Sequence, residues 1–482
     1  MGGVVNVMDV QHFIKQYLRE IESGNAAIFA GAGLSVGAGY VNWKELLRPL
    51  AEELKLNVDE EHDLVALAQY HENKFNRQRI SQQLLNEMAI EQAPTANHKL
   101  LASLPISTYW TTNYDKLIES TLTSVKKVVD VKYTNDQLAV TKPKRDVVLY
   151  KMHGDIDTPN NTVLTRNEYE KYPHSHAPFI TALSGDLVSK TFLFIGFSFT
   201  DPNLHHVLTN IRIQFEGNQR NHYCILRREN RADYNDEATF VRAETRQQLF
   251  ADDLGRFHIN VVFIDEFEEV TQILEHISRL YKRKTVFVSG SASDFGNWSQ
   301  SNTEDALQGL GRTLIDQDYR LVSGIGLGIG NALISGAIQS AYQKQFSHLD
   351  ERLIMRPFPQ YIEDHVQRAE IWHCYRQDLI GKAGIAIFIL GNKQSDGDVV
   401  VADGVLKEFE IAKKLNLAIV PVGFSGFAAE QIWQETIAHF EEIFPGDNGE
   451  IRALYETLGR ATDNPMEMIS RVLDVLNALS KE

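Results

Sequence analysis

Two short apolar runs, each emptying into a loop of small residues, constrain this chain more than any other feature. Ala26 to Ala30 leads into Gly31-Ala32-Gly33-Leu34-Ser35, and Arg320 to Val322 leads into Ser323-Gly324-Ile325-Gly326-Leu327-Gly328-Ile329-Gly330. A buried strand that ends in a glycine-rich turn before a helix is the opening unit of a parallel α/β sheet. Such glycines serve either a tight strand-to-helix turn or close backbone approach to a phosphate. A further loop, Ser289-Gly290-Ser291, follows the strand Thr285 to Val288 in the same half as the second run. Two small-residue loops at neighbouring strand ends make a crevice suited to an anion.

Other buried-strand candidates follow the first loop: Ile106 to Thr112, Val147 to Met152, Thr191 to Phe197 and Val261 to Ile264. Helical spacing of Phe13, Tyr17, Leu18 and Ile21 predicts a helix over Asp9 to Glu22. Several helices are expected between Trp43 and Asn86, and another over Phe267 to Tyr281. The composition resets at Lys282-Arg283-Lys284. A second series of strands then reads Thr285 to Val288, Arg320 to Val322, Ile385 to Leu390 and Ala418 to Val422. Between them, Ser301 and Glu304 have capping-box spacing, Leu307, Leu310, Leu314 and Ile315 share a helix face, and Leu406 to Leu415 reads as a helix. Strands alternating with helices in both halves give the fold class as α/β, two Rossmann-like domains, each a mainly parallel sheet flanked by helices. A boundary near Arg283 divides the chain into domains 1–283 and 284–482.

Composition excludes several functions. Among 482 residues, Asp and Glu number 64 against 48 Lys and Arg, a net charge of −16. Such a surface repels a phosphate backbone, so no nucleic-acid partner is expected, whereas backbone amides can still bind a small phosphorylated ligand. No stretch approaches the ~18 apolar residues of a membrane helix, and the first residues do not read as a secretory signal, so no membrane contact and a cytoplasmic location are expected. Cys224 and Cys374 are too few and too far apart for a disulfide framework or a thiolate zinc site. The spacing of His174, His176, His205 and His206 admits a metal reading, but no His-x-x-x-His pair or Cys partner accompanies them, and no metal is expected.

Three polar segments stand at the carboxyl ends of first-half strands, where ligands bind in open α/β sheets: Trp110-Thr111-Thr112-Asn113-Tyr114-Asp115, Met152-His153-Gly154-Asp155 and Gly196-Phe197-Ser198-Phe199-Thr200-Asp201. With Gly31-Ala32-Gly33-Leu34-Ser35 before them, their order and rough spacing resemble the sirtuin-like family of NAD-using proteins. Thr112-Asn113-Tyr114-Asp115 is similar to its Asn-x-Asp segment, His153-Gly154 to its histidine motif and Gly196-Phe197-Ser198 to its late Gly-x-Ser loop. The resemblance implies NAD+ as substrate, held by Gly31, Ala32, Gly33, Ser35, Gly196 and Ser198. Sirtuin deacetylases carry a paired-cysteine zinc module and a Gly-Ile-Pro-Asp-Phe-Arg stretch; here the aligned residues are Gly39-Tyr40-Val41-Asn42-Trp43-Lys44, and the cysteines are missing. What the resemblance leaves is the shared step, loss of nicotinamide. That step passes through an oxocarbenium-like centre. His153 suits the base acting on a ribose hydroxyl or on water, Asn113 can position either, and Asp115 can orient that segment or favour the cation.

The second half resembles the SLOG superfamily of nucleotide-sensing Rossmann-like domains. The resemblance implies a signal-nucleotide site made by Ser289, Gly290, Ser291, Gly324, Gly326 and Gly328, with Arg376, Lys393 and Glu408 reading the ligand. Enzymatic relatives have a Gly-Gly-x-Gly-Thr-x-x-x-Glu pattern, whereas Ala402 to Glu410 keeps the glutamate without the glycine cluster, which favours sensing. A sirtuin-like half followed by a SLOG half resembles the effectors of the bacterial Thoeris antiphage systems. That resemblance implies an NADase switched on by a cyclic ADP-ribose isomer, a TIR-domain partner that makes the signal, NAD destruction in the infected cell and a homo-tetramer. An NAD-dependent protein deacylase and a non-catalytic nucleotide-binding scaffold are the alternatives.

Overall fold

The structure, a computed structural model, describes residues 7–215, 217–344, 349–359, 362–444 and 449–480. The chain divides into two compact units, Met1–Ser278 and Arg279–Glu482.

The first unit is built on seven strands: β1 (Ala26–Ala30), β2 (Thr108–Thr111), β3 (Val129–Lys132), β4 (Val147–Lys151), β5 (Thr191–Ile195), β6 (His222–Arg227) and β7 (Ile259–Ile264). They lie in the order β3-β4-β2-β1-β5-β6-β7, and every neighbouring pair is parallel. Central β1 is buried along its whole length, as its continuous apolar run requires. The chain leaves β1 towards β2 on one side and later returns to β5 on the other. That reversal opens a crevice at the carboxyl ends of β1 and β5.

Strands β3 and β6 were not legible in the sequence. Val129-Asp130-Val131-Lys132 looks polar, yet Asp130 and Lys132 are both buried and pair at 2.8 Å. His222 opens β6 fully within the core, and burial pushes its pKa down to about 3. The expected strands also end sooner: Thr112, Met152 and Gly196 lie just beyond β2, β4 and β5, so Asn113, His153 and Ser198 all stand past the paired strand ends.

Between β1 and β2 sits a helical insertion, Trp43–Glu53, Leu64–Lys74 and Arg77–Met88. The side chains of Asn42, Asp63 and Asn76 start these helices by accepting from the amides of Glu45, Ala66 and Arg79. Leu46, Leu47, Leu50, Leu67, Ile80 and Leu84 form its core together with Tyr114, Leu117, Ile156 and Leu164 from the sheet's carboxyl edge. The insertion is thereby fastened to the turns after β2 and β4.

The second unit holds a parallel sheet of β8 (Thr285–Ser291), β9 (Arg320–Ser323), β10 (Leu353–Met355), β11 (Ile385–Leu390) and a last strand, Ala418–Val422. The antiparallel hairpin β12 (Asn392–Ser395) and β13 (Asp398–Val401) follows β11, which makes the last strand β14, and the sheet order is β10-β9-β8-β11-β14. Neither β10 nor the hairpin was expected; both are short, and Asn392–Ser395 has no apolar alternation. The capping box at Ser301 and Glu304 is also corrected. The helix starts at Gln300, so Ser299 is the cap and its Oγ accepts from Asn302 N at 3.2 Å.

Candidate functional site

The glycines after β1 are there because the turn after β5 lies against them. A Cβ on Gly31 would stand 2.7 Å from Phe197 Cα, and one on Gly33 would stand 2.9 Å from Gly196 Cα. Gly196 itself adopts φ +62, a conformation that favours glycine. The amides of Gly31 and Gly33 donate to the carbonyls of Ile195 (3.0 Å) and Gly196 (2.9 Å). These two N–H groups are therefore spent on joining the loops rather than pointed at a phosphate, and the glycines act through close approach. Ser198 is exposed and its hydroxyl pairs with Thr200 at 2.8 Å.

Around this junction lies a cavity of about 600 Å³, lined by Ser35, Asn113, Asp115, His153, Ser198 and Asp201 among others, with Trp43 and Leu46 from the helical insertion. Asn113 is buried, and its Nδ2 donates to Gly31 O and to Ser35 Oγ, both at 3.1 Å. Ser35 Oγ in turn donates to Asp115 Oδ2 at 2.9 Å, while Asp115 Oδ1 accepts from Leu117 N at 2.9 Å and starts the helix Leu117–Ser124. Asp115 thus acts on Asn113 through the serine. With both amide hydrogens held, Asn113 Oδ1 faces a fixed direction, buried and without a partner among the described residues. A buried acceptor left unpaired costs about 1–3 kcal/mol, and a ligand hydroxyl would remove that cost.

The Asn113 turn is locked to the His153 turn from below. Lys151, wholly buried, donates to the carbonyls of Tyr114 (3.1 Å) and Asp115 (2.6 Å), to Glu119 Oε1 (3.1 Å) and to Asp155. Burial raises the carboxyl pKa of Asp155, but Lys151 outweighs it and holds the group below its usual range. Glu119 goes the other way, because burial prevails over Lys151. His153 is 3 % exposed, and its Nε2 lies 3.0 Å from Asp201 Oδ2. This is ion-pair range, although the ring nitrogen is not aligned for a hydrogen bond. Tyr169 and Tyr172 meet the ring edge-on, at centroid distances of 5.3 and 6.2 Å.

In the second unit the glycine loops also meet. Gly324 has Phe358 Cε2 2.7 Å from where a Cβ would be, and a Cβ on Gly290 would meet Ile329 Cδ1 and the carbonyl of Ile389, which belongs to β11. Gly326 and Gly328 have the carbonyls of Gly290 and Ala292 in the Cβ position, so the two loops interlock backbone to backbone. Ser291 Oγ donates to Asn392 O at 2.8 Å. The amides of Ser293 and Asp294, which could form an anion nest, donate to the buried Asn392 Oδ1, each at 2.9 Å. Arg376 is nearly buried beneath the rings of Phe358 (4.8 Å) and Trp372 (5.6 Å), and its Nε donates to Glu408 Oε1 at 3.2 Å. Glu408 also accepts from Ser289 Oγ at 2.6 Å, and burial lifts its pKa despite both partners. Lys393 lies on β12 and pairs with Asp403, whose carboxyl is pulled down to about 2 by the hydrogen bond from Lys393.

A family model described as SIR2-like domain matches residues 107–248, and one described as the Sir2- and TIR-associating SLOG family matches residues 269–479. The NAD(+) hydrolase ThsA of Acinetobacter baumannii (strain 532279) is 48 % identical over 473 residues, covering 97 % of this chain and 98 % of that protein. This chain belongs to the ThsA family. The NAD(+) hydrolase ThsA of Bacillus cereus (strain MSX-D12) is 46 % identical over 473 residues, 98 % of each chain, and that of Enterococcus faecium is 40 % identical over 487 residues, 98 % of this chain and 100 % of the other.

In this member of the ThsA family, three residues that sequence reasoning missed complete the crevices: Asp201, Lys151 and Asn392. Asp201 carried a signal. Asp before Pro202 is a helix N-cap pattern, and Oδ1 does accept from Leu204 N at 2.9 Å. Its second oxygen, and so its nearness to His153, is a matter of tertiary placement. Lys151 could be suspected as a charge closing an apolar strand with Asp155 four residues on. Asn392 had no signal, because its partners lie roughly a hundred residues away in the chain.

Proposed function

We propose that this chain hydrolyses NAD+ to ADP-ribose and nicotinamide in the crevice of its first unit, and that a cyclic ADP-ribose isomer held by the second unit switches the reaction on. The observation that carries the first part is the buried, unpartnered Asn113 Oδ1 in the same cavity as His153. The names of the relatives, NAD(+) hydrolases, support the substrate. As nicotinamide leaves with the electrons of its bond to the ribose, C1′ becomes oxocarbenium-like and a water oxygen adds to it. Asn113 Oδ1 orients that water or a ribose hydroxyl, and His153 takes the released proton. Asp115 serves by fixing Ser35 and hence Asn113. Ala32, Gly33, Ser35, Gly196 and Ser198 border the space taken by the ribose and phosphates, and Gly31 supports it from behind, packed against Gly196 and Phe197.

In the second unit, Arg376, Lys393 and Glu408 read the signal beside Ser289, Gly290, Ser291, Gly324, Gly326 and Gly328. A signal favouring the active arrangement by ~3 kcal/mol changes its weight more than a hundredfold. Such gating suits an enzyme whose unchecked activity would starve its own cell of NAD. The setting is antiphage defence by abortive infection, in the cytoplasm, with a TIR-domain partner making the signal and the chain acting as a homo-tetramer. The TIR association in the description of the matching SLOG family supports that partner.

The test incubates the purified full chain with NAD+, with and without cyclic ADP-ribose isomers, and resolves the products by chromatography. ADP-ribose and nicotinamide should appear in quantity only when the active isomer is present. Equal rates with and without every isomer would remove the sensor. Absence of nicotinamide under all conditions, or its release only with an acyl-lysine peptide, would remove the hydrolase.

A further inference from the structure

Asp201 has two carboxylate oxygens with different duties. Oδ1 accepts from Leu204 N and starts the helix Pro202–Phe215, a task that asparagine or serine performs equally well. Oδ2 lies 3.0 Å from His153 Nε2 and 3.4 Å from the Tyr169 hydroxyl. The carboxylate is only 8 % exposed, so keeping its charge there demands a compensating partner. The titratable groups around the histidine are Asp201 before one helix, Tyr169, Tyr172 and His176 from the helix Arg166–Ser175 and its end, and Tyr114 from the turn after β2. Burial opposes ionisation of Asp201, yet His153 and the amides of Leu204 and Asn203 hold its pKa below the usual range. Burial and the neighbouring His153 together disfavour a charge on His176, so that ring supplies no competing cation.

We propose that Asp201 is a positioning residue for His153: its Oδ2, 3.0 Å from Nε2, holds the ring by ion-pair attraction and balances the imidazolium formed when the ring takes a proton. The proposal rests on the first crevice being the site of NAD+ cleavage. A carboxylate that orients and charge-balances a catalytic imidazole is a recurrent device. Here the same carboxylate doubles as a helix cap, which ties the ring to the start of a helix.

The experiment compares the full-chain protein with D201N and D201S, both of which retain a capping side chain. Nicotinamide release is measured under activating conditions from roughly pH 5 to 9, the range in which histidine titrates. In parallel, the His153 ring is followed by NMR on histidine-labelled protein, with H153Q to assign the resonance. Both variants should lose about 10²-fold in kcat with KM within about threefold, the size of effect typical of a group that orients another. The acid limb of kcat/KM should move to lower pH in both variants, because loss of the carboxylate disfavours a proton on the ring, and the His153 ring resonances should shift at fixed pH. An unchanged acid limb with unchanged His153 resonances, or kcat within about threefold of the parent, would overturn the proposal. An unsubstituted chain that releases no nicotinamide would instead overturn the hydrolase reading, and the NMR comparison would still decide whether the two side chains are coupled.

Discussion

The two crevices of this protein share an architecture and differ in what fills them. Each lies where a parallel sheet reverses its strand order, and each is framed by glycine loops that touch. In the first, a cavity of about 600 Å³ has polar groups among an apolar lining, and one acceptor, Asn113 Oδ1, is held in place with nothing to accept from among the described residues. In the second, the groups proposed to bind the signal already have partners from the chain: Asn392 takes the loop amides, Glu408 takes Arg376, and Asp403 takes Lys393. A site with a preset, unpaired acceptor favours the transition state that pairs it. A site whose charges are matched internally must exchange partners when a ligand arrives. Partner exchange links binding to a change in the surrounding elements, which is what a switch requires.

The sharpest way to break this contrast is at the unpaired group and its neighbour. N113A or H153A should reduce nicotinamide release by about 10³-fold or more while leaving the thermal midpoint close to the parent, as general-base and electrostatic losses of this kind do. Substantial turnover in either folded variant would place the chemistry elsewhere. Next in size is the support beneath it. K151M leaves Glu119 buried without its cation and Asp155 with only the more exposed Lys116, at 3.2 Å, a change that costs about 3 kcal/mol. The first unit should then melt about 10 °C lower by calorimetry, given the scaling for a domain of this size.

The second crevice should answer differently. R376A should weaken binding of the activating cyclic nucleotide by about 10²-fold in titration calorimetry and leave activator-free turnover unchanged, as expected for loss of an arginine–phosphate contact. The smallest effect concerns Lys393. D403N frees its ammonium, and activation should then need about threefold less nucleotide, with the gain shrinking as salt is raised. Asp403 also gives a pH signature. Its folded pKa of about 2 is depressed, so its contribution is present above the unfolded carboxylate value and is lost as pH falls through about 2. Because its side chain is 59 % exposed, solvent screening keeps that contribution to a few tenths of a kcal/mol, roughly the value of a surface pair. Acid titration of D403N beside the parent should therefore differ only slightly, and only at the acid end.

Much of this was legible in the order of the residues. The apolar runs of β1, β5 and β11 are buried end to end, and continuous apolar runs bounded by glycine have little other use in a globular chain. Asn113, Asp115 and His153 follow such strands directly, and the structure brings them to one cavity. What stayed hidden depends on pairing across long stretches of chain. Strand β3 escaped because its two charges neutralise each other in the fold. The glycines after β1 were open to two readings, a tight turn or close approach to a phosphate, and the fold shows a further reason for them, close approach to the backbone of the turn after β5. Arg376 and Lys393 were expected to read a ligand, and only the fold shows that Glu408 and Asp403 already pair with them.

By itself, then, the sequence determined the local events: where strands stop, where small residues permit a sharp turn, and which polar side chains stand at those stops. Period, turn chemistry and burial are properties of neighbouring residues, so they can be read along the chain. Tertiary structure alone decided which of those groups would be satisfied and which left wanting. Ser35 and Gly31, by taking both hydrogens of Asn113, aim its Oδ1 where no donor stands among the described residues, and Asn392 takes the amides of the other unit's loop because β11 delivers it there. Hydrogen-bond satisfaction is a sum over everything within about 3 Å, and sequence separation has no bearing on that distance.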